Sequence, residues 1–281
     1  MRRYLTVRNR VVSFLDAGTE GPLGTLVLLH AFPLSAEMWE PQLQAAPVGW
    51  RVLAPDLRGF GASVGAPGAG FTPGSAPEVP SIDDYAGDVL DLLDQMAVKE
   101  AVFAGLSMGG YVAFAILRRA PDRCRGLVLA DTRPGADGPE ARANRDRTLE
   151  LLAQAGPAGI ADAMLPRLLG ATTLRDQPQV VGKVRALIGS QRAEAIGGAL
   201  LRLKTRPDST DLLASIRCPV LLVVGADDVL TPVEESQRMR EAIRSATLAL
   251  IPGAGHLSSL EQPRVFNDAV ARFLADHFGS R

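Results

Sequence analysis

Short apolar runs and helical patterns alternate along most of this chain, and that alternation restricts its fold more than any other feature. The runs with the length of buried strands are at residues 11–15, 25–29, 51–54, 101–105, 126–130, 220–225 and 247–251. The segments with apolar residues at helical spacing are 82–96, 108–119, 233–242 and 263–277. Ser81 and Asp84 resemble a capping box at the start of the first of these helices. The alternation predicts an α/β fold with a mostly parallel central sheet and helices on both faces.

Two segments depart from this pattern. Residues 133–210 have helical patterns and no strand signal, although they lie between two predicted strands of one sheet. We therefore expect a core domain made of residues 1–132 and 211–281, with 133–210 inserted as a helical cap over one end of the sheet. The segment Gly65–Pro80 is rich in Gly, Pro, Ala and Ser and is predicted to be an irregular surface loop.

Charge and composition exclude several functions. The net charge of −1 and the lack of a basic run argue against nucleic-acid binding. No run approaches the roughly 20 apolar residues of a membrane span, and Arg8 and Arg10 interrupt any leader-like start. Cys124 and Cys218 are far apart and are expected to be isolated thiols. We expect a cytoplasmic protein with no membrane and no nucleic-acid partner.

The chain carries no signal for a metal or a cofactor. Its three histidines, His30, His256 and His277, do not form a metal-binding pair on a helix. Dinucleotide and phosphate-binding glycine motifs are also absent from the sequence. We expect the chemistry to come from side chains and backbone amides alone.

A candidate nucleophile lies in Gly105-Leu106-Ser107-Met108-Gly109, which matches G-x-S-x-G. The stretch from Gly61 to Gly65, around Ser63, matches the same pattern. Ser107 follows an apolar strand and precedes a helix, as a serine raised on a sharp strand-to-helix turn must. Ser63 follows a polar turn and precedes a Gly/Pro-rich loop. The context favours Ser107.

A serine hydroxyl needs a base, and the base needs an orienting acid. His256 lies in a glycine-containing loop between the last strand and the last helix, where it can reach the carboxyl edge of the sheet. Asp227 and Asp228 follow strand 220–225, and Asp131 follows an earlier strand. The chain order Ser107, Asp228, His256 matches the order expected of this fold.

Two backbone amides are candidates for binding a developing oxyanion. Met108 N–H follows the nucleophile at a helix N-terminus, and Phe32 N–H lies in the loop after strand 25–29. Pro33 has no N–H to offer. His30, at the start of this loop, is expected to brace the turn by hydrogen bonds.

These motifs together resemble the α/β-hydrolase fold family. The matching stretches are the loop at 30–34, the turn at 56–63, the serine turn at 105–110, the acid turn at 225–228, and the histidine loop at 255–256 with Glu261-Gln262-Pro263. Within the family the chain is similar to serine esterases and 3-oxoadipate enol-lactonase-like proteins. The resemblance places the acid on Asp228, and Ala31 stands where the family usually has glycine.

The resemblance implies a hydrolase that cleaves a small carboxylic ester or lactone through an acyl-enzyme. Two alternatives remain at this point: a cofactor-free perhydrolase or haloperoxidase with the same triad, and a non-catalytic binding module on the same fold.

The cap offers candidates for contacts with the substrate. Its apolar residues either line an acyl pocket or belong to the core: Leu149, Leu152, Met164, Leu165, Leu168 and Leu169. Its arginines either bind a substrate carboxylate or are solvated: Arg142, Arg145 and Arg147.

Overall fold

The computed structural model describes residues 1–8, 10–18, 23–63 and 80–279. In these ranges it has one eight-stranded sheet in the order β1-β2-β4-β3-β5-β6-β7-β8. The strands are β1 Arg2–Val7, β2 Arg10–Ala17, β3 Gly24–Leu29, β4 Trp50–Pro55, β5 Ala101–Leu106, β6 Cys124–Ala130, β7 Val220–Gly225 and β8 Ala246–Ile251. From β4 to β8 every neighbouring pair is parallel, which confirms the prediction.

Ten α-helices accompany the strands in the described ranges. They are α1 Glu40–Gln44, α2 Ile82–Gln95, α3 Met108–Arg119, α4 Pro139–Leu168, α5 Ala171–Asp176, α6 Pro178–Gly189, α7 Ala193–Thr205, α8 Val233–Ala242, α9 Ser258–Glu261 and α10 Pro263–Phe278. Helix α3 packs on β3, β5 and β6, and α8 and α10 pack on β7 and β8. Every residue of β5 is buried, so the strand before Ser107 lies at the centre of the core.

The sequence did not predict β1. It pairs antiparallel with β2, which itself pairs antiparallel with β4. As an edge strand, β1 carries polar or exposed side chains such as Arg2 and Tyr4, so it lacks the apolar signal of an inner strand. The Arg2 guanidinium contacts the buried Asp56 carboxylate at 2.6 Å, which fastens this edge to the turn after β4.

The segment between β6 and β7 is helical, as predicted, and contains α4 to α7. Gly156 interrupts α4 with a φ of 63°, a conformation that glycine adopts without a steric penalty. Helices α6 and α7 pack against α4, and α7 also contacts α2. Each helix in the described residues is too short or too polar to cross a bilayer. The predicted loop Gly65–Pro80 lies, except for Pro80, outside the described residues.

Candidate active site

Ser107 occupies a sharp turn between β5 and α3. Its φ of 54° and ψ of −112° are costly for a residue with a side chain. The turn also requires glycine on both sides, because a Cβ at Gly105 would overlap the Gly109 carbonyl and one at Gly109 would overlap the Leu29 carbonyl. The Thr132 hydroxyl donates a hydrogen bond to the Ser107 carbonyl at 2.8 Å. The G-x-S-x-G spacing is thus a steric requirement of the turn that raises Ser107 Oγ above the sheet.

The imidazole of His256 lies beside this serine. Its Nε2 is 2.8 Å from Ser107 Oγ, and its Nδ1 is 2.8 Å from Asp228 Oδ2. The His256 backbone N–H donates to the Leu168 carbonyl at 3.1 Å, which ties the histidine loop to the end of α4. With Nδ1–H donated to Asp228, Nε2 is the acceptor for the Ser107 hydroxyl. The structure thus brings the three predicted side chains into one hydrogen-bonded chain.

Asp228 is buried and well supplied with donors. Its Oδ1 accepts from the backbone N–H groups of Leu230 (2.8 Å) and Thr231 (3.1 Å), and its Oδ2 accepts from the Thr231 hydroxyl (2.5 Å) as well as from His256. Burial opposes ionisation, but the imidazole charge and these hydrogen bonds outweigh it, so the pKa of Asp228 lies below its usual value. Asp228 is therefore a carboxylate near neutral pH.

The other two candidate aspartates do not meet the imidazole. Asp227 is exposed. Asp131 is fully buried and accepts hydrogen bonds from Gly225 N–H at 2.8 Å and from the Ser258 hydroxyl. Burial first, and the nearby Asp228 charge second, raise the pKa of Asp131 well above its usual value. The pKa values of the two buried aspartates thus shift in opposite directions, because Asp228 faces an imidazole that can become a cation and Asp131 faces another carboxylate.

The amides of Phe32 and Met108 lie close to the serine. Both residues line the same cavity as Ser107 and His256. Within the described chain, neither N–H donates a hydrogen bond to another protein group. Met108 is also the first residue of α3, where the helix dipole favours negative charge. Both amides are therefore without a protein acceptor within the described residues.

His30 and Ser63 have structural roles. The His30 ring is fully buried, with Nδ1 3.0 Å from the Ala31 carbonyl and Nε2 accepting from Leu57 N–H at 3.0 Å. It braces the loop after β3, as predicted. Ser63 Oγ donates to the Asp56 carbonyl and accepts from Ser13 N–H, each at 2.8 Å. Both hydrogen-bonding capacities of this hydroxyl are used inside the fold, so the second G-x-S-x-G match carries no reactive serine.

A cavity of about 550 Å³ lies above Ser107. We call its base the floor, formed by Phe32, Ser107, Met108, Thr231 and His256. We call the opposite wall from α4 the roof, formed by Glu140, Ala141, Asn144, Arg145, Arg147, Thr148, Leu151, Ile160, Ala163, Met164, Arg167 and Leu168. Floor and roof together enclose space for a small organic substrate.

All six predicted apolar cap residues pack in or against the core, and two of them also line the cavity. Met164 and Leu168 line the cavity, together with Leu151, which the sequence did not single out. The other four pack in or against the core: Leu149, Leu152, Leu165 and Leu169. Because roof and core lie on neighbouring faces of one helix, spacing alone did not separate them.

The predicted arginines divide between the two alternatives. Arg142 is exposed and does not line the cavity, whereas Arg145 and Arg147 do. Arg133 and Arg167 also line it and were missed. The available signal for Arg133 was its position just after β6, at the same edge of the sheet as Ser107.

Glu261 belongs to the Glu261-Gln262-Pro263 stretch of the family motif, but the sequence did not predict its role. Its buried carboxylate accepts from the backbone N–H groups of Gly170 (2.7 Å), Gly255 (2.9 Å) and Leu257 (3.2 Å). Burial raises the pKa of Glu261 despite these donors. One carboxylate therefore joins the end of the roof helix to both neighbours of His256.

An α/β sheet that carries a hydroxyl–imidazole–carboxylate chain at the carboxyl ends of its strands defines a hydrolase architecture. Among the described residues, no group of three or more His, Cys, Asp or Glu side chains has the arrangement of a metal site. A family model described as the alpha/beta hydrolase fold matches residues 24–263. The chain belongs to the α/β-hydrolase fold family.

Three similar proteins illustrate the family's range. The chain is 31% identical to the 3-oxoadipate enol-lactonase 2 of Acinetobacter baylyi, over 95% of this chain and 94% of that protein. It is 32% identical to a putative carbamate hydrolase, RutD, of Variovorax paradoxus, over 86% of this chain and 88% of that protein. A thermophilic esterase from Thermogutta terrifontis, solved with malate bound, is 38% identical with a TM-score of 0.88, covering 99% of each chain.

Proposed function

We propose that this protein is a serine hydrolase that cleaves a carboxylic ester or lactone through an acyl-enzyme. The observation that carries the proposal is the chain from Ser107 Oγ through His256 to Asp228, with both contacts at 2.8 Å. Similarity to an esterase and an enol-lactonase supports the substrate class. Ser107 is the nucleophile, His256 the general base and Asp228 the orienting acid.

In the first half-reaction, Ser107 Oγ attacks the carbonyl carbon while its proton passes to His256 Nε2. The carbonyl oxygen becomes an oxyanion, held by the N–H groups of Phe32 and Met108. The imidazolium is stabilised by Asp228, whose lowered pKa keeps it ionised. Collapse of the intermediate breaks the bond to the leaving oxygen, which takes the proton from Nε2 and departs as the alcohol.

The second half-reaction repeats these steps with water. His256 takes a proton from water as the hydroxide oxygen attacks the acyl carbon, and the same amides hold the oxyanion. The bond to Ser107 Oγ then breaks, Oγ recovers the proton, and a carboxylic acid leaves.

The test is hydrolysis of a short p-nitrophenyl ester by the wild type and by Ser107→Ala. We expect the variant to lose activity by about 10⁴-fold or more, because the covalent step is lost. Ser63→Ala is the matched control and should keep its turnover, since that hydroxyl is used inside the fold. Unchanged hydrolysis by Ser107→Ala would refute the proposal.

A carbamate is a second candidate substrate, favoured by the identity to the putative carbamate hydrolase. The same acyl transfer would release an amine in place of an alcohol. Measuring kcat/KM for an ester and a carbamate with the same acyl-side shape distinguishes the two. Assays for peracid formation and for labelling of Ser107 by a fluorophosphonate test the perhydrolase and the non-catalytic alternatives.

We also propose that residues 133–210 act as a cap on a core of 1–132 and 211–281, with the substrate held between floor and roof. This division is supported by the cavity, which draws its lining from both parts. A cytoplasmic location is supported by Cys124 and Cys218, which form no disulfide. Cell fractionation tests the location, and recovery of the protein outside the cytoplasm would refute it.

A further inference from the structure

One buried carboxylate near the cavity is shared by three arginines. Asp137 lies just before α4. Its carboxylate oxygens are 2.6 Å from a guanidinium nitrogen of Arg206, 3.0 Å from one of Arg145 and 3.4 Å from one of Arg133. Its side chain has no exposed surface. Asp208 also interacts with Arg206, but two negative charges cannot neutralise three positive ones, so this cluster keeps an excess of positive charge beside the site.

The arginine closest to Asp137 is occupied within the protein. Arg206 is buried, donates to the carbonyls of Gly135 and Leu203, and lies over the Tyr111 ring at 4.1 Å. Arg133 and Arg145 make the longer contacts to Asp137, and these two line the cavity. The Nε of Arg133 is buried and has no hydrogen-bond partner in the described chain. The Nε of Arg206 shares this property, so what separates the two arginines is the position of Arg133 in the cavity wall.

The roof adds further positive charge to the same cavity. Arg147 and Arg167 line it, and within the described residues neither is in an ion pair. Among the charged roof residues, Glu140 is the one carboxylate, and it is exposed. Four cavity arginines therefore face one lining carboxylate, although the protein as a whole has a net charge of −1. The positive charge is local to the cavity.

We propose that these arginines bind a carboxylate carried by the substrate, with Arg133 and Arg145 as the inner contacts and Arg147 and Arg167 nearer the solvent. The preferred substrates are then half esters of dicarboxylic acids, or lactones with a free carboxylate. A planar guanidinium matches a carboxylate through paired hydrogen bonds, which a neutral group of the same size cannot form. This inference specifies the substrate class of the proposed hydrolase and rests on that proposal.

A binding measurement tests the subsite independently of hydrolysis. Isothermal titration calorimetry with succinate as the probe is carried out on the wild type, Arg133→Gln, Arg167→Gln and Arg142→Gln. Arg142 is the matched control, because it lies on α4 but outside the cavity. We expect succinate to bind the wild type and the control alike. Its affinity should fall about tenfold in Arg133→Gln and about threefold in the exposed Arg167→Gln.

An activity ratio tests the consequence. Monomethyl succinate and methyl levulinate have acyl groups of the same length. The first ends in a carboxylate, and the second ends in a neutral methyl ketone. We expect the wild type to have the higher kcat/KM for the half ester, and this ratio to fall about tenfold in Arg133→Gln and stay unchanged in Arg142→Gln. A loss that is equal for both esters would indicate a purely structural role and overturn the inference.

The two proposals fail in different ways. If succinate binding depends on Arg133 and Arg167 but no ester is hydrolysed, the subsite stands and the hydrolase proposal fails. If Ser107-dependent hydrolysis of methyl levulinate occurs without succinate binding or preference for the half ester, the hydrolase proposal stands and the subsite is refuted. Arg167→Gln keeps the test valid if Arg133→Gln does not fold.

Discussion

The floor and the roof of the cavity are held in place by different interactions. Floor residues follow the ends of strands, and the polar side chains of Thr231 and His256 are held by short hydrogen bonds to Asp228. Roof residues lie on one helix that Gly156 interrupts, and two of the charged ones, Arg147 and Arg167, are in no ion pair within the described chain. Under the proposed function, the floor supplies the chemistry and the roof contacts the substrate.

The strongest test of this comparison concerns Asp228, the carboxylate to which the floor residues Thr231 and His256 are hydrogen-bonded. Asp228→Asn removes the charge that stabilises the imidazolium and favours the wrong tautomer of His256, so we expect kcat to fall by about 10⁴-fold. Asp131→Asn is the matched variant, because Asp131 is equally buried but does not contact the imidazole, and its kcat should stay within about fivefold of the wild type. Ester hydrolysis by both variants checks this. Similar losses in the two would mean that Asp131 shares the acid's role.

A second test concerns the link between floor and roof. Glu261→Gln leaves at least one of the Gly170, Gly255 and Leu257 N–H groups without an acceptor, which should cost about 1–3 kcal/mol of unfolding free energy. Because Gly255 and Leu257 flank His256, kcat should also fall by about tenfold. Urea unfolding and ester kinetics measure both effects. The control Glu150→Gln, on the exposed side of α4, should change neither, and stability of Glu261→Gln equal to that of the control would contradict the link.

The third test uses pH. Burial, together with the charge of Asp228, raises the pKa of Asp131, so the folded state holds a proton that the unfolded chain has already released. Stability from this group is therefore complete below the usual pKa of about 4 and is lost as pH rises toward the raised pKa, by at most about 1.4 kcal/mol per pH unit. We expect Asp131→Asn to flatten the fall in stability over this range. Urea midpoints across pH check it, and parallel curves for wild type and variant would exclude this role for Asp131.

The smallest effect is expected in the apolar roof. Met164→Ala enlarges the cavity, so kcat/KM for a p-nitrophenyl hexanoate relative to the acetate should rise about threefold. Leu174→Ala, on α5 outside the cavity, is the control and should leave this ratio unchanged. If Met164→Ala lowers kcat/KM equally for both esters, the roof contributes to stability and not to selectivity.

Much of the core fold and of the turn at Ser107 could be predicted from the sequence, because the sequence signals for them are local. The turn at Ser107 requires glycine at fixed spacing, and Ser81 with Asp84 forms the predicted capping box of α2. The buried strands carry continuous apolar runs, so β5 was visible and the polar edge strand β1 was not. These features depend on residues only a few positions apart.

The chain itself determined the α/β architecture, the order of the reactive residues and the steric need for glycine beside Ser107, because backbone geometry and apolar periodicity act over short distances. Tertiary structure decided that Asp228 and not Asp131 meets His256, that Asp137 gathers three arginines, and that Glu261 holds the histidine loop. Those choices depend on burial and on contacts that span from 4 positions, between Arg133 and Asp137, to 91 positions, between Gly170 and Glu261. Burial and contacts of that kind exist only after the sheet and helices have packed.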